Sequence, residues 1–301
     1  MCSPIYLRRS IVILSFWAAW ASIPLNADET RIPDWGGEVS EEVSRAELHL
    51  LHQGQQTAKP TVLLLCPGFS GDGSAMAAEK PWMDFAKKND FWLVGLSFAS
   101  PSAVAVKKRG YYYASSGSHQ QTLSGLRELT GSTDVNVYLV GFSGGAHFAA
   151  RFARSYPDET IGFAALGAGK LGNASLPSSF TIKAMHWPAS LIGCGELDGR
   201  LSGAFQYFAE AREDGIRSAW VEVPNAAHTR SLEFETLARS HLLGLLDAKT
   251  TGYYRYRGIS PVVPPTHTQF PSLFDWFPSM AAGQQAVQLG LTPSQSSSKK
   301  D

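Results

Sequence analysis

Seven strand-length runs, spaced by stretches of helical periodicity, constrain this chain more than anything else in it. The runs fall at 47–52, 61–66, 91–97, 135–140, 161–166, 189–194 and 218–223. Most are apolar along their whole length rather than at alternate positions, the pattern of strands covered on both faces and hence of a parallel sheet. Between them, 75–88, 118–129, 144–156, 203–214 and 231–247 read as helices, with Gly131 and Gly215 as stops and Pro157 just past the third. Strands alternating with helices specify βαβ units and one mostly parallel, doubly wound α/β sheet in a single domain. No internal repeat competes with that reading.

The ends of the chain read differently. Arg8 and Arg9 precede an apolar stretch at 11–20, followed by Pro24 and small residues, with an A-x-A site at Ala19-Trp20-Ala21 and a second candidate at Ala27. This is the order of a secretory signal peptide, so 1–27 is expected to be removed on export, leaving the protein secreted or periplasmic. The alternative is a membrane anchor, but the stretch falls short of the roughly 20 residues a span needs. Residues 28–250 form the α/β domain. Beyond it, Pro261, Pro264, Pro265, Pro271 and Pro278 punctuate an aromatic extension at 251–289, read to about 280 as an extended tail packed on the domain, and 290–301 is polar and expected to be disordered.

Charge narrows the partners. The 26 basic residues balance 26 acidic ones, which removes the electrostatic footprint of a nucleic-acid binder. No later stretch is long and apolar enough to span a bilayer, so a small molecule or a polymer is a better partner than either. No Cys/His/Asp spacing suggests a metal site, and no phosphate-cradling glycine motif appears. No cofactor is expected.

The chemistry centres on Ser143. Gly141-Phe142-Ser143-Gly144-Gly145 matches G-x-S-x-G; the pattern is weak alone in a chain with 28 glycines, but it falls between a strand and a helix, where a nucleophile elbow belongs. The alternative is an ordinary glycine-rich turn. A serine hydroxyl needs a base. Of the eight histidines, His49 and His52 lie on the first strand, His119, His147 and His241 in helices, His267 in the tail, and His186 before a strand. His228, in Pro224-Asn225-Ala226-Ala227-His228, follows the C-terminal end of the last strand, where ligands and reactive groups of such sheets gather. The imidazole in turn needs a carboxylate. Asp198, in the turn Gly195-Glu196-Leu197-Asp198-Gly199, is favoured over Glu196 because it stands beside Gly199 and can reach the next loop. For the oxyanion, the N–H groups of Gly144 and of Phe69, in the loop after 61–66, are the expected donors, with Ser70 a possible side-chain addition.

These residues, in the order Ser143, Asp198, His228, together resemble the α/β-hydrolase superfamily over 47–247, and among its members the secreted esterases of the dienelactone hydrolase and polyhydroxybutyrate depolymerase/feruloyl esterase type, with Pro67-Gly68 where those often carry His-Gly. The resemblance implies an eight-stranded, mostly parallel sheet and serine-dependent hydrolysis of carboxylic esters; a serine peptidase of the same fold and an inactive binding protein are the alternatives. In such a sheet the strands carrying Cys66 and Cys194 lie about three positions apart, roughly 14 Å, beyond disulfide reach. Both are expected to be free, buried thiols. Trp82, Tyr111, Tyr112, Tyr113 and Trp187 belong to segments that could border the site as an aromatic substrate wall, the alternative being packing beneath loops, and 170–187 is long enough for a small lid.

Overall fold

The computed structural model describes residues 30–31, 43–101, 110–169, 171, 187–247, 252–256 and 274–291. The expected signal peptide, nearly all of the lid candidate and most of the proline-rich segment lie outside the described residues.

Eight strands form one sheet: β1 (Thr30–Arg31), β2 (Arg45–His52), β3 (Thr61–Cys66), β4 (Trp92–Ala99), β5 (Asn136–Phe142), β6 (Thr160–Leu166), β7 (Ala189–Gly195) and β8 (Ser218–Val223), in the spatial order β1-β2-β4-β3-β5-β6-β7-β8. β1 and β2 pair antiparallel, as do β2 and β4; every pairing from β4 through β8 is parallel. The eighth strand is the two-residue β1, too short to leave a sequence pattern. β3 shows why the runs are uninterrupted: Val62, Leu64 and Cys66 enter the apolar layer on one face while Leu63 and Leu65 enter the layer on the other. Cutting any of these leucines back to alanine would cost about 2–5 kcal/mol.

Helices cover both faces. α1 (Gly73–Ala77) and α2 (Lys80–Asn89) follow β3, α3 (Ser118–Thr130) follows β4, α4 (Gly144–Ser155) follows β5, α5 (Leu201–Glu213) follows β7, and α6 (Leu232–Leu246) follows β8. The single helix read at 75–88 is two helices. The first helix stops at Ala77, the chain extends at Glu79 (φ −60°, ψ 132°), and a second helix starts at Lys80 with Pro81 in its opening turn, where the missing N–H would have had no partner in the helix. The extension is structured where it is described. β9 (Tyr253–Tyr256) pairs antiparallel with β10 (Phe274–Phe277), and α7 (Met280–Leu291) puts Ala282, Ala286 and Leu289 into the same apolar layer as α6. Cys66 and Cys194 are free and buried, on strands three positions apart as expected. Among the described residues no helix is long and apolar enough to cross a membrane.

The register gathers the loops. Cys66 of β3 lies opposite Gly141 of β5, Phe142 of β5 opposite Leu166 of β6, Leu166 opposite Gly193 of β7, and Gly195 of β7 opposite Val223 of β8. The chain therefore leaves β3, β5, β7 and β8 at one edge, and the loops carrying Phe69, Ser143, Asp198 and His228 share a rim.

Candidate active site

Ser143 stands between the last residue of β5 and the first of α4 at φ 52° and ψ −112°. Positive φ at a residue with a Cβ costs about 1–3 kcal/mol and persists only where its surroundings enforce it. Here the Ser143 N–H donates to Leu166 O at 2.9 Å, and the Ser143 carbonyl accepts from His147 N at 3.1 Å. Gly145 permits the tight approach of α4 to β3, since a Cβ there would lie 2.0 Å from Cys66 O and 2.3 Å from Pro67 O. The sharp turn and bare helix start lift the Ser143 side chain onto the rim.

Three side chains meet there. His228 Nε2 lies 2.9 Å from Ser143 Oγ, and His228 Nδ1 lies 2.7 Å from Asp198 Oδ2. Asp198 also accepts from the Arg200 backbone N–H at 3.0 Å and the Arg200 guanidinium at 3.2 Å, both on Oδ1. Burial pushes the Asp198 carboxyl up, but hydrogen bonds from His228 and Arg200 outweigh it and hold the group below its ordinary value. An ionised carboxylate only accepts, so Nδ1 carries the imidazole proton and Nε2 is left as the acceptor facing the serine hydroxyl. The arrangement can take a proton from Oγ. Glu196, the rival carboxylate, is engaged elsewhere, accepting from Asn225 N at 2.7 Å. The Cys194 thiol is pushed up to about 12, by burial first and by the Asp198 charge next, and stays protonated.

The imidazole is positioned on several sides. The Phe142 ring stacks on it with centroids 4.9 Å apart and planes 30° from parallel. The acid and histidine loops are laced together by Leu197 N to Ala226 O at 2.9 Å and Glu196 N to Val223 O at 3.0 Å. Two residues past His228, Arg230 forms a bidentate pair with Glu79 at 2.6 and 2.8 Å and donates to Glu235 at 2.7 Å. This anchor ties the histidine loop to the start of α2 and to α6. Sequence reading missed it because 151 residues separate Glu79 from Arg230 and no local pattern links them.

Phe69 and Gly144 are brought together as expected. The position a Cβ would take on Gly144 is 3.0 Å from both N and Cα of Phe69. The aromatic candidates divide. Tyr111 and Tyr112 pack against Phe69, with centroids 5.8 and 6.4 Å away, while Tyr113 follows behind Tyr112 at 4.9 Å. Tyr112 also stacks on His147 of α4, and the Arg151 guanidinium sits over the Tyr113 ring at 4.2 Å. Trp82 and Trp187 are corrections to the sequence reading. Trp82 is wholly buried on the far layer, its indole N–H donating to Glu235 at 3.1 Å. Trp187 is buried just before β7, at the opposite end of that strand from Asp198. Both side chains are packed within the apolar layers rather than displayed on the rim. Ser70, at φ 56°, is exposed. Among the described residues no group of three or more His, Cys, Asp or Glu side chains is placed to hold a metal.

No family model matches this chain, and no curated protein matches it. Among solved structures it superposes on esterase PE8 with a TM-score of 0.51 at 20% identity, covering 65% of this chain and 97% of that one. Together with the strand order and the single antiparallel flank, that likeness decides the architecture. This chain has the α/β-hydrolase fold. Further similar structures are the poly(3-hydroxybutyrate) depolymerase LpqC from Bordetella parapertussis, with a TM-score of 0.47, 15% identity and coverage of 68% and 84%, and a ferulic acid esterase, with a TM-score of 0.49, 12% identity and coverage of 70% and 94%.

Proposed function

We propose that this α/β-hydrolase-fold protein is an exported serine hydrolase that cleaves carboxylic esters through an acyl-enzyme on Ser143. The observation that carries the reading is the continuous hydrogen-bonded line from Asp198 through His228 to Ser143. Each member comes from a different loop, and a structural role for any one of them would not require the other two. Export rests on the order of charged, apolar and small residues at 1–27.

The steps follow from the geometry. Ser143 Oγ attacks the ester carbonyl carbon as its proton passes to His228 Nε2, and the carbonyl π pair moves onto oxygen. Asp198 stabilises the imidazolium through the Nδ1–H and fixes the ring's tautomer. The oxyanion accepts from the N–H groups of Phe69 and Gly144, the latter at the positive end of α4. When the carbonyl re-forms, the alkoxide leaves with the proton from Nε2 and the acyl group stays on Ser143. Water then enters, gives its proton to His228 and releases the acid by the same steps in reverse.

The experiment is hydrolysis of p-nitrophenyl acetate by the protein and by its Ser143→Ala and His228→Ala variants. Turnover by the wild type and its loss in both variants is expected. A wild type that is folded but inert, or variants that retain its rate, would overturn the reading. Extending the same assay to short, long and aromatic acyl esters, and to polyester and acylated glycans, defines the substrate.

A further inference from the structure

We propose, resting on the ester-hydrolase reading above, that the Tyr111 hydroxyl is a third hydrogen-bond donor to the oxyanion, beside the N–H groups of Phe69 and Gly144. The position a Cβ would take on Gly144 lies 2.6 Å from the Tyr111 hydroxyl oxygen and 3.0 Å from Phe69 N. The phenol oxygen therefore stands beside both expected backbone donors. It does so because residue 144 is glycine; any side chain there would strike the hydroxyl.

The ring cannot easily go elsewhere. Tyr111 is 3% exposed, stacked on Phe98 with centroids 5.6 Å apart and packed against Phe148 at 6.5 Å. Its backbone is fixed at both ends, the N–H donating to Ser100 Oγ at 3.0 Å and the carbonyl accepting from the Ser118 hydroxyl. No hydrogen bond to the Tyr111 hydroxyl forms among the described residues, so its proton is available to an acceptor that arrives beside Gly144. Burial first, then Cys66 and Tyr112, push the phenol well above its ordinary value, so it keeps its proton at any working pH. A fixed, protonated donor beside the N–H groups of Phe69 and Gly144 is the arrangement that stabilises charge developing on a carbonyl oxygen. No proton is transferred. When Oγ adds to the carbonyl carbon, the π pair on oxygen accepts from three donors, and it returns to the C=O bond when the alkoxide leaves.

The test is Tyr111→Phe, which keeps the ring and its packing and removes one oxygen. Losing one oxyanion donor lowers kcat by about 10²-fold, and KM for p-nitrophenyl acetate is expected to stay within about twofold. Affinity for phenylboronic acid, which forms a tetrahedral adduct with a serine, should fall by a comparable factor, while the pH profile keeps its shape and Tm stays at the wild-type value. A kcat within twofold of wild type, or a loss of kcat with unchanged boronic acid affinity, overturns the assignment. If the wild type turns over and Tyr111→Phe matches it, only the role of Tyr111 falls. A wild type with no turnover takes the esterase reading and this one down together.

Discussion

Replacing Asp198 by asparagine tests the electrostatics of the site without changing its shape. The carboxylate has two unequal oxygens. Oδ1 accepts two bonds from Arg200, whereas Oδ2 accepts one from His228. Asparagine keeps one acceptor oxygen, and two donors on the Arg200 side outbid one on the histidine side. The amide oxygen therefore stays with Arg200 and the NH₂ faces His228. Against an NH₂ donor, Nδ1 must be the bare nitrogen, which puts the ring proton on Nε2, pointing at Ser143. A ring in that tautomer cannot take the Oγ proton. The expected loss in kcat is about 10³- to 10⁴-fold, equivalent to about 4–5.5 kcal/mol of transition-state stabilisation. The assay is p-nitrophenyl ester hydrolysis under saturation, with Glu196→Gln as its control. Among the described residues Glu196 holds only the Asn225 N–H, and glutamine retains an oxygen for it, so Glu196→Gln should stay within about twofold of wild type, as surface changes do. An Asp198→Asn protein within tenfold of wild type, or a Glu196→Gln protein that loses most of its activity, would refute the reasoning.

Two further perturbations read other parts of the structure. His119 and His241 are both pushed down to about 3, by burial first and then by Arg151 and Arg217 respectively. Each takes up its proton near its ordinary pKa only when the chain unfolds, so stability should fall as pH drops below about 6.5, by about 2 kcal/mol per histidine at pH 5. Urea midpoints at pH 7.5 and pH 5 measure the loss, and His241→Gln should remove about half of it; a midpoint independent of pH would contradict the assignment. In Gly145→Ala the new Cβ would meet the backbone carbonyls of Cys66 and Pro67, so either α4 or the Phe69 loop must move. The cost should reach about 3 kcal/mol, seen as a Tm lower by roughly 6–12 °C, together with reduced turnover; an unchanged Tm would show that the close approach is not required.

The parts of this molecule legible in the sequence are those fixed by local pattern. β3, β5 and β7 announced themselves because both of their faces are covered, and Ser143, Asp198 and His228 because each follows a strand at the same edge. Other features carried a signal that was misread. Pro81 marked the break between α1 and α2, and the spacing of Ala282, Ala286 and Leu289 is that of a helix face, although it follows a proline-rich stretch. The position of Trp187 ahead of β7 placed it at the wrong end of the sheet, and the periodicity of α2 turned Trp82 inward. What no local pattern held was the meeting of distant groups. The Arg230–Glu79 anchor and the approach of Tyr111 to Gly144 depend on how loops from separate strands converge, and only three-dimensional placement shows them.

The most direct measurement of the central claim is covalent labelling with a fluorophosphonate, which phosphonylates a serine only where a base activates it. After reaction and tryptic digestion, the adduct should lie on Ser143 within the peptide 128–151, and His228→Ala should abolish it. A folded wild-type protein that stays unmodified, or one that carries the adduct on another residue, would contradict the account.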